Sequence, residues 1–164
     1  MSEIDRLVPL LASQQQALTR LLELAREERS CLLEGHLDRL TEIVQEQTTL
    51  LTDHGRLSKQ ITSSLERIAA ARQLSGRVSL ARIIPCVDDK RASQVRLYYR
   101  ALTSAADELQ RESRVNWYLA QQALKYVDFT LKFIGQAKDG PLPYAPPQQS
   151  GQPRAVQLLM DSCA

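Results

Sequence analysis

From Cys86 to Ile134 the chain contains neither proline nor glycine, and across that stretch its apolar residues recur every three or four positions. This feature constrains the fold more tightly than any other. A period near 3.6 sustained over that distance fits one long α-helix, because strands repeat every two residues and turns need the breakers that are missing here. The row Val95, Tyr99, Leu102, Ala106, Leu109, Val115 or Asn116, Leu119, Ala123, Tyr126, Thr130, Phe133 predicts a helix from about 88 to about 135. Asp88 or Asp89 is placed to cap it, and Asp107 and Arg111 form an i,i+4 pair in the favourable order. At 1.5 Å per residue such a helix is about 70 Å long.

The same period appears twice before it. Ile4, Leu7, Leu11, Leu18, Leu21, Ala25 and Leu32 mark a first helix from about 3 to 34, with Gln14 and Glu28 interrupting the row and Leu10, Leu22 and Leu33 widening it. Pro9 either kinks this helix or sits in its first regular turn, since it has no N–H for the Asp5 carbonyl. Leu37, Leu40, Val44, Gln47, Leu51, His54, Ile61, Leu65 and Ile68 mark a second helix from about 37 to 74, with Ile43, Leu50 and Leu57 alongside. Gly35 fits the left-handed position after the first helix, and the short connection makes the first two helices an antiparallel hairpin. Gly55 is a candidate bend, Ser75-Gly76 ends the second helix, and Ser79 to Ile84 makes a single turn over one hairpin end before Pro85.

The expected fold is all-α: an antiparallel helical hairpin plus a long third helix, a coiled-coil-like three-helix bundle. It forms one helical domain over 1–137, and the third helix outruns the hairpin. Residues 138–164 differ in kind. Five of the seven prolines lie after residue 140. This composition reads as an extended, flexible C-terminal tail whose last residues, Arg154 to Cys163, order only against a partner.

Composition excludes several functions. The chain carries 21 Lys and Arg against 19 Asp and Glu, well mixed, for a formal net charge of +2. Without a basic block, nucleic acid and anionic membrane are not the expected partners. No apolar run reaches the roughly 20 residues of a membrane span, so stable membrane insertion is not expected. The N-terminus lacks the layout of a secretory signal, so the expected compartment is the cytoplasm. Cys31, Cys86 and Cys163 are odd in number, widely spaced, and read as reduced thiols without a role. There is no phosphate-binding loop, dinucleotide fingerprint or nucleophile elbow. The two histidines, His36 and His54, are preceded three residues earlier by leucines rather than glutamates, so the Glu-x-x-His metal pattern is absent. Neither an enzyme nor a cofactor or metal protein is expected, and no catalytic residue is assigned. His36 reads as a turn residue and His54 as a partly exposed helix residue.

The positive signal lies in the aromatics. All eight follow residue 97: Tyr98, Tyr99, Trp117, Tyr118, Tyr126, Phe129, Phe133 and Tyr144. With Leu119, Leu124, Val127 and Ile134 they make the second half of the third helix apolar over a wider arc than one packing neighbour needs. Such surface marks a binding site. The candidate partner-binding residues are Asn116, Trp117, Tyr118, Leu119, Ala123, Tyr126, Val127, Phe129, Phe133 and Ile134. Tyr144, in a proline-rich stretch with no core to join, is a candidate linear docking element. A competing reading is a purely structural coiled-coil scaffold or obligate oligomer that buries the same rings between copies. Oligomeric state stays open at this level.

The segment Leu21 to Leu51 resembles the FlgN-type flagellar export chaperones. That family has a leucine-rich helix ending in Leu-Leu-x-Gly, here Leu32-Leu33-Glu34-Gly35. A turn and Leu-x-x-Leu follow, here Leu37 to Leu40, and then a Glu-Lys-x-x-Leu-Leu segment, here Glu46 to Leu51 with Gln47 for the lysine. His36 stands where an Asp cap is common. Asn116-Trp117-Tyr118-Leu119 resembles the family's Asn-Gly-x-Leu-Leu region without its glycine, and Leu142 to Pro146 resembles its tyrosine-bearing tail. The resemblance implies a cytoplasmic chaperone of type III export. Such a chaperone binds C-terminal helical segments of hook-associated (hook–filament junction) proteins and keeps them unassembled. It then delivers them to the cytoplasmic domain of the export gate, with docking carried by Tyr144.

Overall fold

The computed structural model describes residues 3–74, 76 and 78–137. Among them the chain is all-α. Helix α1 spans Glu3–Glu34, α2 Leu37–Ala71, α3 Leu80–Ile83 and α4 Asp89–Ala137, with a 3₁₀ turn at Ile84–Cys86. The chain divides after Tyr126 into two units. The first holds α1, α2, α3 and α4 as far as Tyr126; the second contributes the described residues 127–137. The expected tail, with Tyr144, Cys163 and the segment Arg154 to Cys163, lies outside the described residues.

Gly35 closes α1 in the left-handed region, at φ +77°. Its N–H and that of His36 both donate to the Cys31 carbonyl, at 2.9 and 3.0 Å. These bonds satisfy a carbonyl that the helix end would leave bare. The tight turn sends α2 back along α1: Gln14 meets His54 and Ser58, Arg20 meets Glu46, and Glu28 meets Gln47. Helix α4 instead runs parallel to α1 within the first unit. Arg91 pairs with Asp5, Arg26 with Glu108 and Arg29 with Glu112.

The main core lies at the open end of the hairpin. Ile4, Leu7 and Leu11 of α1, Ile61, Leu65 and Ile68 of α2, and Ala92 and Val95 of α4 pack together. Ile83 and Ile84, from α3 and the 3₁₀ turn, close this cluster. The one irregular apolar stretch of the sequence is thus a plug between α2 and α4. A smaller cluster of Leu24, Cys31 and Ile43 holds the turn end, with Leu40 and Leu50 against it.

Pro9 lies inside α1, the seventh of its 32 residues and past its first turn. An interior proline costs a helix about 3 kcal/mol. Leu7 and Leu11, both fully buried, flank it and hold the helix in register. Helix α2 ends at Ala71, three residues before the expected 74, and continues through Gly55. Its end uses Gln73 in the left-handed region, at φ +54°. The Leu74 N–H reaches the Ala69 carbonyl at 2.9 Å and the Gln73 N–H reaches that of Ala70 at 3.1 Å. A glycine-type terminus has formed on a glutamine, which is why Ser75-Gly76 misplaced the boundary.

The start of α4 is a side-chain cap. The Asp88 carboxylate accepts the Arg91 N–H at 3.1 Å and the Arg91 guanidinium at 3.1 Å. These donors, the backbone N–H foremost, hold the Asp88 carboxyl below its ordinary range. A group depressed in the folded state adds stability that is complete above its unfolded value, roughly 4, and is lost as pH falls through the folded value. Asp88→Ala is therefore expected to lower the melting temperature at neutral pH. The gap between variant and parent narrows once pH drops below about 4, as a thermal melt followed by circular dichroism across pH will show. A gap that widens in acid contradicts the cap.

Candidate partner-binding surface

The first part of α4 is tied to the hairpin by both packing and polar contacts. Val95 is fully buried against the main core. Further along, three helices meet at one carboxylate: Glu28 accepts the Gln47 amide at 2.9 Å and the Asn116 amide at 3.0 Å. The Asn116 amide also donates to the Ala25 carbonyl at 2.7 Å. With 2% of its surface exposed, Asn116 sets the register of α4 against α1 and α2. A buried polar group has this effect because each alternative register would leave it unpaired. Its Oδ1 nevertheless has no hydrogen-bond partner.

A second polar layer lies nearer the open end. The Gln14 amide, itself buried, donates to Ser58 Oγ at 3.0 Å and stands 2.7 Å from His54 Nε2. Gln14 and Glu28, the two interruptions of the α1 row, are therefore the polar layers of the bundle. Between them Arg20 donates to Glu46 at 2.7 Å and holds that carboxyl below its usual range.

Asn116 also lines a cleft of about 360 Å³ with Leu21, Glu28, Gln47, Leu51, Leu109, Ser113, Trp117 and Ala120. Trp117 forms its rim and is 66% exposed. Tyr118 and Leu119 are half-buried. Beyond them, still in the first unit, Ala123, Leu124 and Tyr126 are exposed. In the second unit Val127, Phe129, Leu131, Phe133 and Ile134 are exposed as well, Phe129 at 68%. The ion pair of Lys132 with Asp128, at 2.7 Å, is also solvent-facing.

The sequence-selected residues thus fall into three settings. Asn116 is in the floor of a cleft rather than on the open face, because its amide is engaged with α1. Tyr118 and Leu119 are at the margin. Trp117, Ala123, Tyr126, Val127, Phe129, Phe133 and Ile134 are on the outside. The residue that sequence reasoning missed is Leu131, 64% exposed, which lies off the row used to place the helix. The first half of α2 also needs correction. Leu37, Val44 and Leu51 were read as its inward row, but they are exposed. Ile43 is fully buried instead, with Leu40 and Leu50 beside it. The inner row there runs one step round the helix, where Leu24 and Cys31 of α1 lie. A helix apolar on two adjacent strips gives no sign in the sequence of which one faces inward.

Among the described residues no group of three or more His, Cys, Asp or Glu side chains is arranged to hold a metal ion, and no helix is long and apolar enough to cross a membrane. Cys31 and Cys86 are free thiols. A family model described as FlgN protein matches residues 1–152. No curated protein and no solved structure matches the chain.

Proposed function

The chain belongs to the FlgN family, the flagellar export chaperones, and from that premise we propose that it holds the C-terminal helical segments of hook-associated proteins in the cytoplasm and carries them to the export gate. One observation carries this reading: most of the large apolar side chains of α4 after Leu119, and Trp117 before it, are exposed. Trp117, Leu124 and Tyr126 stand open in the first unit, and Val127, Phe129, Leu131, Phe133 and Ile134 in the second. Exposed apolar surface on this scale is costly for a soluble helix unless a partner covers it.

The guest is a helical segment that pairs as a coiled coil in the finished structure and presents its apolar stripe while free. A helix laid on the exposed face of α4 covers both surfaces. Sequestration then suppresses premature assembly by mass action, by RT ln(1 + [L]/Kd). Ordering of a mobile guest on binding keeps the affinity moderate, which suits release at the gate.

Tyr144, outside the described residues, is the proposed contact with the cytoplasmic domain of the gate. The test separates the two steps. The last segment of a hook-associated protein, immobilised, is expected to retain both the parent chain and Tyr144→Ala equally. In cells, Tyr144→Ala is expected to reduce export of hook-associated proteins severalfold. Failure of the parent chain to bind the segment overturns the chaperone reading; normal export with Tyr144→Ala overturns the assignment of Tyr144 alone.

A further inference from the structure

Along α1 every acid but one faces a basic side chain. Glu3 pairs with Arg6, Asp5 with Arg91, Glu23 with Arg20, and Glu27 with both Arg20 and Arg39. At the helix end Glu34 stands 3.2 Å from His36. Glu28 differs. Its partners among the described residues are two neutral amides, Gln47 at 2.9 Å and Asn116 at 3.0 Å, and both donate to Oε2. Among the described residues no donor reaches its Oε1 and no cation pairs with it.

The setting makes the missing cation costly. Glu28 is half-buried and lines the cleft of about 360 Å³ between α2 and α4. It is the one charged residue among those lining that cleft, whose apolar walls include Leu21, Leu51, Leu109 and Trp117. An anion drawn partly out of water carries a desolvation cost that neutral donors offset only in part. We propose that Glu28 selects the guest: it receives a basic side chain, lysine or arginine, carried within the apolar stripe of the helical segment that lies over the cleft. The inference rests on the chaperone reading and adds to it the chemistry of one guest position.

Charge and shape together select this occupant. A cation offsets the uncompensated carboxylate, and an acid at the same layer is repelled. An apolar side chain would strip water from Oε1 and put no donor in its place. The stem of a lysine or arginine packs along Leu21, Leu51 and Leu109 while its charged head meets Glu28. The amides on Oε2 hold the carboxylate before the guest arrives, so little side-chain freedom is lost on binding. A single charge within an apolar stripe also fixes register. Sliding the guest by one heptad would leave the guest cation against apolar walls and Glu28 again without a partner.

The test is a double-substitution cycle followed by calorimetric titration. It uses the full chain, Glu28→Gln, and the last segment of a hook-associated protein. Glutamine keeps an oxygen for both amides and removes the charge. Glu28→Gln is expected to bind the segment roughly ten-fold or more weakly, with unchanged helicity by circular dichroism. Each lysine and arginine of the segment is then replaced singly by methionine. One replacement is expected to cost the parent chain a similar factor and to cost Glu28→Gln little further. A residue that merely shaped the cleft would give two losses that add. Binding by Glu28→Gln equal to the parent's overturns the proposal, and so does a segment in which no basic position couples to Glu28. The guest-side replacements leave the fold of the chain untouched, so a segment that loses every basic residue in turn without loss of affinity for the parent overturns it independently of how Glu28→Gln folds. A parent chain that binds no segment at all overturns the chaperone reading itself, and this inference with it.

Discussion

Trp117→Ala or Phe129→Ala is expected to weaken binding of a hook-associated C-terminal segment by roughly ten- to thirty-fold, with no loss of thermal stability. The size follows from the energetics of interfaces, where truncating a central aromatic costs about 1.4–2 kcal/mol or more and each 1.4 kcal/mol is tenfold. The unchanged stability follows from exposure. Both rings have about two thirds of their surface in water in the free chain, so their removal opens no cavity. The two residues are in different units and are tested singly. Calorimetric titration of each variant with the segment, beside a thermal melt, decides the matter. Affinity equal to the parent's in both variants places the guest elsewhere on the molecule. A large fall in melting temperature instead means that the rings belong to the fold.

Leu7→Ala is the opposite case. Leu7 is fully buried among α1, α2, the α3 plug and α4. Truncation there removes transfer energy and leaves a cavity that the four segments cannot all close, a loss of about 2–5 kcal/mol. Domains as a whole hold only about 5–15 kcal/mol, so this one change consumes a large fraction of the stability. The expected fall in melting temperature is roughly 4–20 °C for a chain of this size. Set beside Phe129→Ala, a similar or larger truncation with no expected fall, it separates apolar residues that build the fold from those held in reserve. A loss below about 0.5 kcal/mol for Leu7→Ala shows the main core to be wrongly placed.

Most of the architecture was legible because helices announce themselves locally. The unbroken period from Cys86 to Ile134, the glycine at 35 and the cap at Asp88 are each decided within a turn of chain, by backbone sterics and nearby hydrogen bonds. The end of α2 was misread because Gln73 took a conformation normally left to glycine, and nothing in a glutamine signals that. The surplus of aromatics after residue 97 was likewise visible in the sequence, since a helix apolar on many sides needs more neighbours than a hairpin supplies.

What the sequence by itself determined is the all-α class, the hairpin turn, and the richness of α4 in apolar surface beyond Asn116. Only the tertiary structure decided which of two adjacent apolar strips on α2 faces α1. It also decided that Gln14 and Asn116, with the half-buried Glu28, are polar layers between the helices rather than flaws, and that Trp117 and Phe129 stay in water. The physical reason is that periodicity reports which residues share a face of a helix. Whether that face is covered depends on the position of another helix, which no local pattern encodes.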